Sequence, residues 1–278
     1  MSSALFTFLV WVGSLLGGFL GALVGLGGGV VVVPLLTLIF HVDIHYAIGA
    51  ALVSVIATSS GAAAAYVREG YSNVRVGMFL EMATTTGALV GAALVLYLHA
   101  SVISAIFGAV LIYSAYTSMR EVPASSHEAT PDKIATWLRM DSTYPSGDRL
   151  ERYHVRNVPA GFGVMFLAGI LSGLLGIGSG AVKVLAMDKA MKLPFKVSTT
   201  TSNFMIGVTA AAGAGIYLSR GYIDPALAMP VMLGVLAGSF AGARVLARAR
   251  VRALRLVFAA VIAFLAIEMI YSGFSGRV

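Results

Sequence analysis

Gly25-Leu26-Gly27-Gly28-Gly29 interrupts an apolar run and is answered later in the chain by Gly176-Ile177-Gly178-Ser179-Gly180. Four glycines in five positions are not ordinary helix interior, because each costs roughly 1 kcal/mol relative to alanine. The flanks, 5–24 before the break and 30–40 after it, are almost wholly apolar, which puts the break at or near membrane depth. Irregular backbone is tolerated there only where protein buries it or where it lines a cavity. The pair of turns therefore predicts a site.

Hydrophobic residues make up 58% of the chain and charged residues 11%, with a mean hydropathy of +0.89. Soluble domains carry about a quarter charged residues, so the composition predicts an all-α polytopic membrane protein. The net charge of +7 would suggest nucleic acid in a soluble domain, but the first basic residue is Arg68 and the others collect in loops. Read as topology signals, they imply no nucleic-acid partner. The absence of cysteine excludes disulfides, thiolate metal sites and thiol relays. No basic residue precedes the first apolar run, as it would in a signal peptide, so that run is expected to be a retained span.

The apolar segments run over 4–26, 30–40, 46–67, 76–98 and 101–119, then, after a polar stretch, over 159–176, 181–191, 198–219, 225–245 and 253–272. A shift of 151 positions lays Gly25 on Gly176, Tyr66 on Tyr217, Gly70-Tyr71 on Gly221-Tyr222, and Gly87 and Gly91 on Gly238 and Gly242. This is an internal duplication, predicting a first transmembrane repeat over 1–120, a loop over 121–158 and a second repeat over 159–278. The second segment of each repeat is too short to span. About 11 residues at roughly 1.5 Å each cover half of a roughly 30 Å hydrocarbon core.

Basic residues decide between inverted and parallel repeats. With five crossings per repeat, one side collects all of the 19 basic residues except Arg220, Arg277 and the intramembrane Lys183; with four, the residues divide almost evenly. The positive-inside rule selects two inverted repeats of about five segments, with Gly-rich broken helices near the midplane, both termini outside and the central loop cytoplasmic, in the cell (inner) membrane. In that loop, Thr136-Trp137-Leu138-Arg139-Met140 and Tyr153-His154-Val155-Arg156-Asn157 alternate around Pro145-Ser146-Gly147-Asp148, which predicts a small β-hairpin. It serves either as a regulatory flap or as a folded linker. Gly17, Gly21, Gly25 and Gly29, like Gly234, Gly238 and Gly242, recur every four residues. Such faces allow close helix approach, within the chain or in a homodimer.

A half-helix starting after Gly29 presents unpaired N–H groups and its positive dipole end to the turn, and the segment after Gly180 does the same. Gly27, Gly28 and Gly29 with Gly178, Ser179 and Gly180 would let an oxyanion reach the backbone without a Cβ in the way. Lys183, three residues further on, is either a counter-charge for an anionic solute or a lysine that snorkels or pairs with Asp188 or Glu81. The run from Ser198 to Asn203 holds more hydroxyls than a helix cap needs. Thr201, Ser202 and Asn203 could serve solute oxygens or helix–helix hydrogen bonds. Glu81 and Glu268 lie near segment ends, either as coupling-proton carriers or as interfacial residues.

Nearly the whole chain resembles the TauE/SafE sulfite exporters, membrane proteins that move sulfite and organosulfonates out of bacterial cells. The resemblance rests on the stretch from Gly21 to Gly29 with Pro34, on that from Gly169 to Gly180, and on Thr200-Thr201-Ser202-Asn203 followed by Gly221-Tyr222-Ile223-Asp224. One departure is that the first repeat, where the family often has Thr-Ser after Ala-x-Gly, has Ala50-Ala51 after Ala47-Ile48-Gly49. The family implies a secondary transporter exporting a small sulfur-containing anion, sulfite, sulfoacetate or a related organosulfonate, by alternating access.

Enzyme readings fail on the residues. An intramembrane serine protease needs a Gly-x-Ser-Gly loop, but Ile177 stands two before Ser179, and all five histidines lie in loops or at span ends. Gly176-x-Gly178-x-x-Ala181 fits a loose dinucleotide pattern without a preceding strand, and no nucleotide-binding motif is present, so neither cofactor nor ATP is expected. The remaining alternative is a membrane scaffold or assembly subunit whose glycines serve packing alone.

Overall fold

The computed structural model describes residues 3–24, 29–68, 72–119, 132–146, 149–246 and 251–275. Among them are eleven helices and one two-stranded antiparallel sheet. The first five helices are α1 (Ser3–Val24), α2 (Gly29–Pro34), α3 (Ile44–Arg68), α4 (Val74–Val95) and α5 (Ala100–Met119). A short α6 (Lys133–Trp137) and the strands β1 (Ser142–Ser146) and β2 (Arg149–Tyr153) follow. The chain continues through α7 (Val158–Leu175), α8 (Gly180–Leu185), α9 (Phe195–Ser219), α10 (Pro225–Leu246) and α11 (Val251–Phe274). Four of these, α1, α4, α7 and α10, are long and apolar enough to cross a membrane. The long helices keep large apolar side chains such as Phe8, Leu16, Met82, Leu167 and Phe264 exposed on the outside. A surface of that kind suits lipid.

The short second segment of each half is built alike. Val30 to Val33 are buried in α2, which widens into a π-turn over Leu35–Ile39; α8 does the same over Ala186–Ala190. Pro34 cannot donate to the helix ladder, and Thr37 Oγ1 donates to the Val33 carbonyl at 3.0 Å in the widened turn. Proline is not the whole cause, since Leu185 holds the matching place in the second half. With the 151 shift, the bounds of α2, α3 and α4 become those of α8, α9 and α10.

Helix α1 packs against α10, α4 against α7, α3 against α9 and α5 against α11. Glycines set the closest of these contacts. A methyl group at Gly18 would overlap the Val235 carbonyl, and one at Gly169 would overlap that of Thr84; the two contacts correspond under the shift. Gly234 and Gly238 likewise meet the α1 backbone around Trp11 and Leu15, so the α10 stripe is used inside the chain. Of the α1 stripe, a methyl group at Gly17 would make ordinary contact with the Val31 and Val32 side chains at 3.4–3.6 Å. The α3–α9 and α5–α11 pairs run antiparallel: Leu52 lies by Gly213 and Ser59 by Gly207, while Ser101 lies by Gly273 and Ala266 by Gly108.

The sheet corrects the expected hairpin by moving its strands inward. Ser142 pairs with Tyr153 and Ser146 with Arg149, whereas Thr136 and Trp137 are helical. Asp132 caps that helix through Ile134 N, and Thr136 Oγ1 bonds the Asp132 carbonyl at 3.0 Å. The alternation across 136–140 is one capped helical turn followed by Arg139 at φ 50°, not a strand. Asn73, the N-cap of α4, ties the module down by donating from Nδ2 to the Met140 carbonyl at 2.8 Å and to the Tyr153 hydroxyl at 2.7 Å. Burial raises the Tyr153 pKa above the ordinary phenol value, so the hydroxyl stays neutral as an acceptor.

Candidate functional site

The two glycine turns meet inside the bundle. A Cβ built on Gly29, the first residue of α2, would lie 3.0 Å from the Gly176 carbonyl oxygen, 3.6 Å from Ile177 Cα and 2.9 Å from Val55. One built on Gly178 would lie 2.8 Å from Ile206, and one on Gly180 2.9 Å from the same side chain. Gly176 and Gly178 have φ of +69° and +71°, as glycine permits, and Ser179 is held at +50°, a conformation uncommon outside glycine. Ser179 gives α8 no side-chain cap, leaving the first amides of that helix without an intrahelical partner. Beside the turns is a small recess bordered by Val30, Ile177, Ser179, Gly180 and Val182, with Val110 and Ser114 of α5. It has room for about one water molecule.

Gly27 and Gly28 lie outside the described residues. Ser179 is buried, and its Oγ donates to the Ala168 carbonyl at 2.6 Å. The hydroxyl run of α9 is largely committed within the protein. Thr199 and Thr200 bond carbonyls one turn back, Thr201 Oγ1 accepts from Asn73 N at 3.0 Å, and Ser202 Oγ donates to the Gly180 carbonyl at 3.3 Å. Asn203 is half-buried beside them. Ser202 thus touches the second turn, while Thr201 faces the cap of α4.

Lys183 does not line the recess and does not snorkel. It is fully buried, and its Nζ donates to Thr209 Oγ1 at 2.5 Å. Thr209 Oγ1 in turn lies 2.7 Å from Glu81 Oε1, 3.0 Å from the Met205 carbonyl and 3.4 Å from Thr84. A hydroxyl has one proton to give, and the nearest and charged acceptor, Glu81, takes it. Lys183 and Glu81 are therefore a buried charge pair bridged by a threonine, with Thr85 Oγ1 donating to the same Glu81 oxygen at 3.1 Å. Of the two partners expected for Lys183, Glu81 is the one joined to it; Asp188 is buried with Lys189 at 3.5 Å. Glu268 is half-buried on α11, outside this chain of bonds.

Sequence reasoning offered Glu81 as one possible partner of Lys183 and missed Thr209. The available signal was position: Thr201, Met205 and Thr209 recur every four residues along one face of α9, all buried. A helical bundle with two interrupted half-helices meeting in its core, next to a buried lysine–carboxylate bridge, has the build of a polytopic membrane transporter.

The family model described as "Sulfite exporter TauE/SafE" matches residues 10–269, and the chain belongs to that family. "Probable membrane transporter protein YunE" of Bacillus subtilis is 26% identical over 96% of this chain and 98% of its own length. "Probable membrane transporter protein YdhB" of the same organism is 29% identical over 83% of this chain and 86% of its own. A third relative, "Probable membrane transporter protein MJ0441" of Methanocaldococcus jannaschii, is 25% identical over 91% of each chain. No solved structure matches the chain.

Proposed function

We propose that the protein is a secondary transporter that exports a small sulfur-containing anion, sulfite, sulfoacetate or a related organosulfonate, by alternating access. The observation that carries this reading is the meeting of the two glycine turns, where Gly29 abuts Gly176 and Ile177. Oxyanions are held by backbone amides at such turns because no Cβ blocks approach and the helix dipole favours negative charge. The amides around Gly27, Gly28 and Gly29 and around Gly178, Ser179 and Gly180 would form the cradle. Ser202, bonded to the Gly180 carbonyl, borders it, Asn203 would add an amide donor, Thr201 steadies α9, and Lys183 would supply the positive charge. The tight fit of Ile206 and Val55 against the glycines belongs, on this account, to a closed conformation that opens by movement of one half against the other.

The halves, 1–120 and 159–278, are in this reading inverted repeats of five segments joined by a cytoplasmic loop over 121–158. The antiparallel crossings of α3 with α9 and of α5 with α11, each pairing elements that correspond under the 151 shift, support it. By the positive-inside rule the basic residues favour a cytoplasmic loop with both termini outside. Since the chain has no cysteine, an impermeant thiol reagent on intact cells should label His45→Cys and spare Ser146→Cys. The reverse pattern would overturn the orientation. For function, vesicles carrying the protein should release labelled sulfite, sulfoacetate or taurine faster than empty vesicles. Release no faster for any of the three would favour the scaffold reading, in which the glycines only pack helices.

A further inference from the structure

The polar chain in the core is unevenly satisfied. Glu81 Oε1 receives both Thr209 and Thr85, whereas Glu81 Oε2 is buried with no hydrogen-bond partner among the described residues. Lys183 has three protons to donate, and Thr209 takes one of them. Glu81 and Lys183 are both buried. As long as Glu81 is ionised, the ammonium and carboxylate cancel and the core is neutral.

We propose that Glu81 is the proton-coupling site of the transporter: its carboxylate takes up one proton as the solute anion binds, and the anion replaces it as the counter-charge of Lys183. The inference rests on the anion-transport reading above and adds the coupling ion to it. The argument is one of charge. In a low-dielectric interior an uncompensated cation is costly, so protonating Glu81 alone leaves Lys183 bare, and adding an anion alone leaves an excess of negative charge. Adding both keeps the core neutral. Binding of either then favours binding of the other by the same factor. In the transport step the proton adds to the vacant Oε2 from the side where the anion enters and leaves with it on the other. No covalent bond to the solute forms or breaks.

The surroundings offer few competing groups. Helix α7, packed along α4, has no ionisable side chain. Helix α9 carries Lys196 in its first turn and Tyr217 in its last, both far along the helix from Thr209, and α4 itself carries Arg75, an exposed residue that donates to the Arg139 carbonyl at 3.0 Å. From the α8 side the ionisable groups are Lys183 itself and, on the π-turn that follows, Asp188 and Lys189, which are paired with each other. Lys183 is the one charge joined to Glu81 by hydrogen bonds among the described residues.

The test uses the purified full chain, with sulfite and the permanently charged methanesulfonate as probes. Proton uptake is read with an indicator dye in weakly buffered solution, at a pH where the free carboxyl is ionised. Wild type should take up about one proton per bound methanesulfonate, Glu81→Gln should bind it with none, and Glu81→Asp should restore the uptake. Anion binding without proton uptake in wild type, or equal uptake in Glu81→Gln, overturns the proposal. Infrared difference spectra across a pH step give a readout that does not need solute. If neither probe binds, a buried protonated-carboxyl band present in wild type and absent from Glu81→Gln keeps the proton site and refutes the anion reading. Its absence from wild type refutes the proton site as well.

Discussion

The 151 shift relates two sites in the bundle, each built from both halves on matching backbone, and one of them is filled with charge. Lys183, Thr209 and Glu81 are joined by hydrogen bonds; the residues 151 positions away are Val32, Thr58 and Met232. Val32 is buried among apolar neighbours, and Thr58 turns its hydroxyl back to the Ser54 and Val55 carbonyls at 3.0 and 3.2 Å. Helix bounds, π-turns and close glycine contacts are shared, so the architecture does not depend on the polar bridge. A charge pair that the fold can do without, maintained against the desolvation cost of burial, points to a task other than stability.

The largest effect should come from breaking the charged site. Glu81→Leu leaves Lys183 buried and unpaired and should cost about 3–5 kcal/mol of stability, read as a fall in melting temperature in detergent. Met232→Leu, at the matching place, should cost less than about 1.5 kcal/mol. Combining Lys183→Val with Glu81→Met makes the charged site a copy of its Val32, Thr58 and Met232 counterpart, and should recover most of the stability while abolishing anion binding. If the double variant transported normally, the asymmetry would have no functional meaning.

A smaller effect should treat two matching contacts alike. Gly18→Ala and Gly169→Ala each push a methyl into a facing carbonyl, and each should cost about 1–3 kcal/mol. A loss at one position only would show that the two helix contacts are less symmetric than their matching geometry implies. The smallest effect separates the two threonines. Thr209→Val removes the bridge, costing about 1–2 kcal/mol and weakening anion binding, while Thr58→Val loses only a bond to its own helix and should change stability by a few tenths of a kcal/mol. Thermal melts of both variants, with and without sulfite, check this.

Much of the scaffold was readable beforehand because its causes are local or periodic. The ten apolar segments, their repeat at 151 and the short second segment follow from hydropathy and glycine placement alone. The hairpin strands were misplaced because Thr136 to Met140 alternates like a strand, and the Asp132 cap that makes it helical lies before the alternation. The use of the hydroxyls was hidden for a different reason. Ser179, Thr201 and Ser202 look free in sequence, but their partners, Ala168, Asn73 and Gly180, lie on other elements. Thr209 was invisible as a bridge because only the packing of α4, α8 and α9 brings Glu81 and Lys183 to its two sides.

The most direct test of the central claim, that the site around Lys183 binds an anion, is the melting temperature of wild type and Lys183→Met measured with and without sulfite. At a concentration about a hundredfold above the dissociation constant, binding to the folded state alone should add roughly 2.7 kcal/mol to wild type, with little or no shift in Lys183→Met. An equal rise in both proteins would contradict the account.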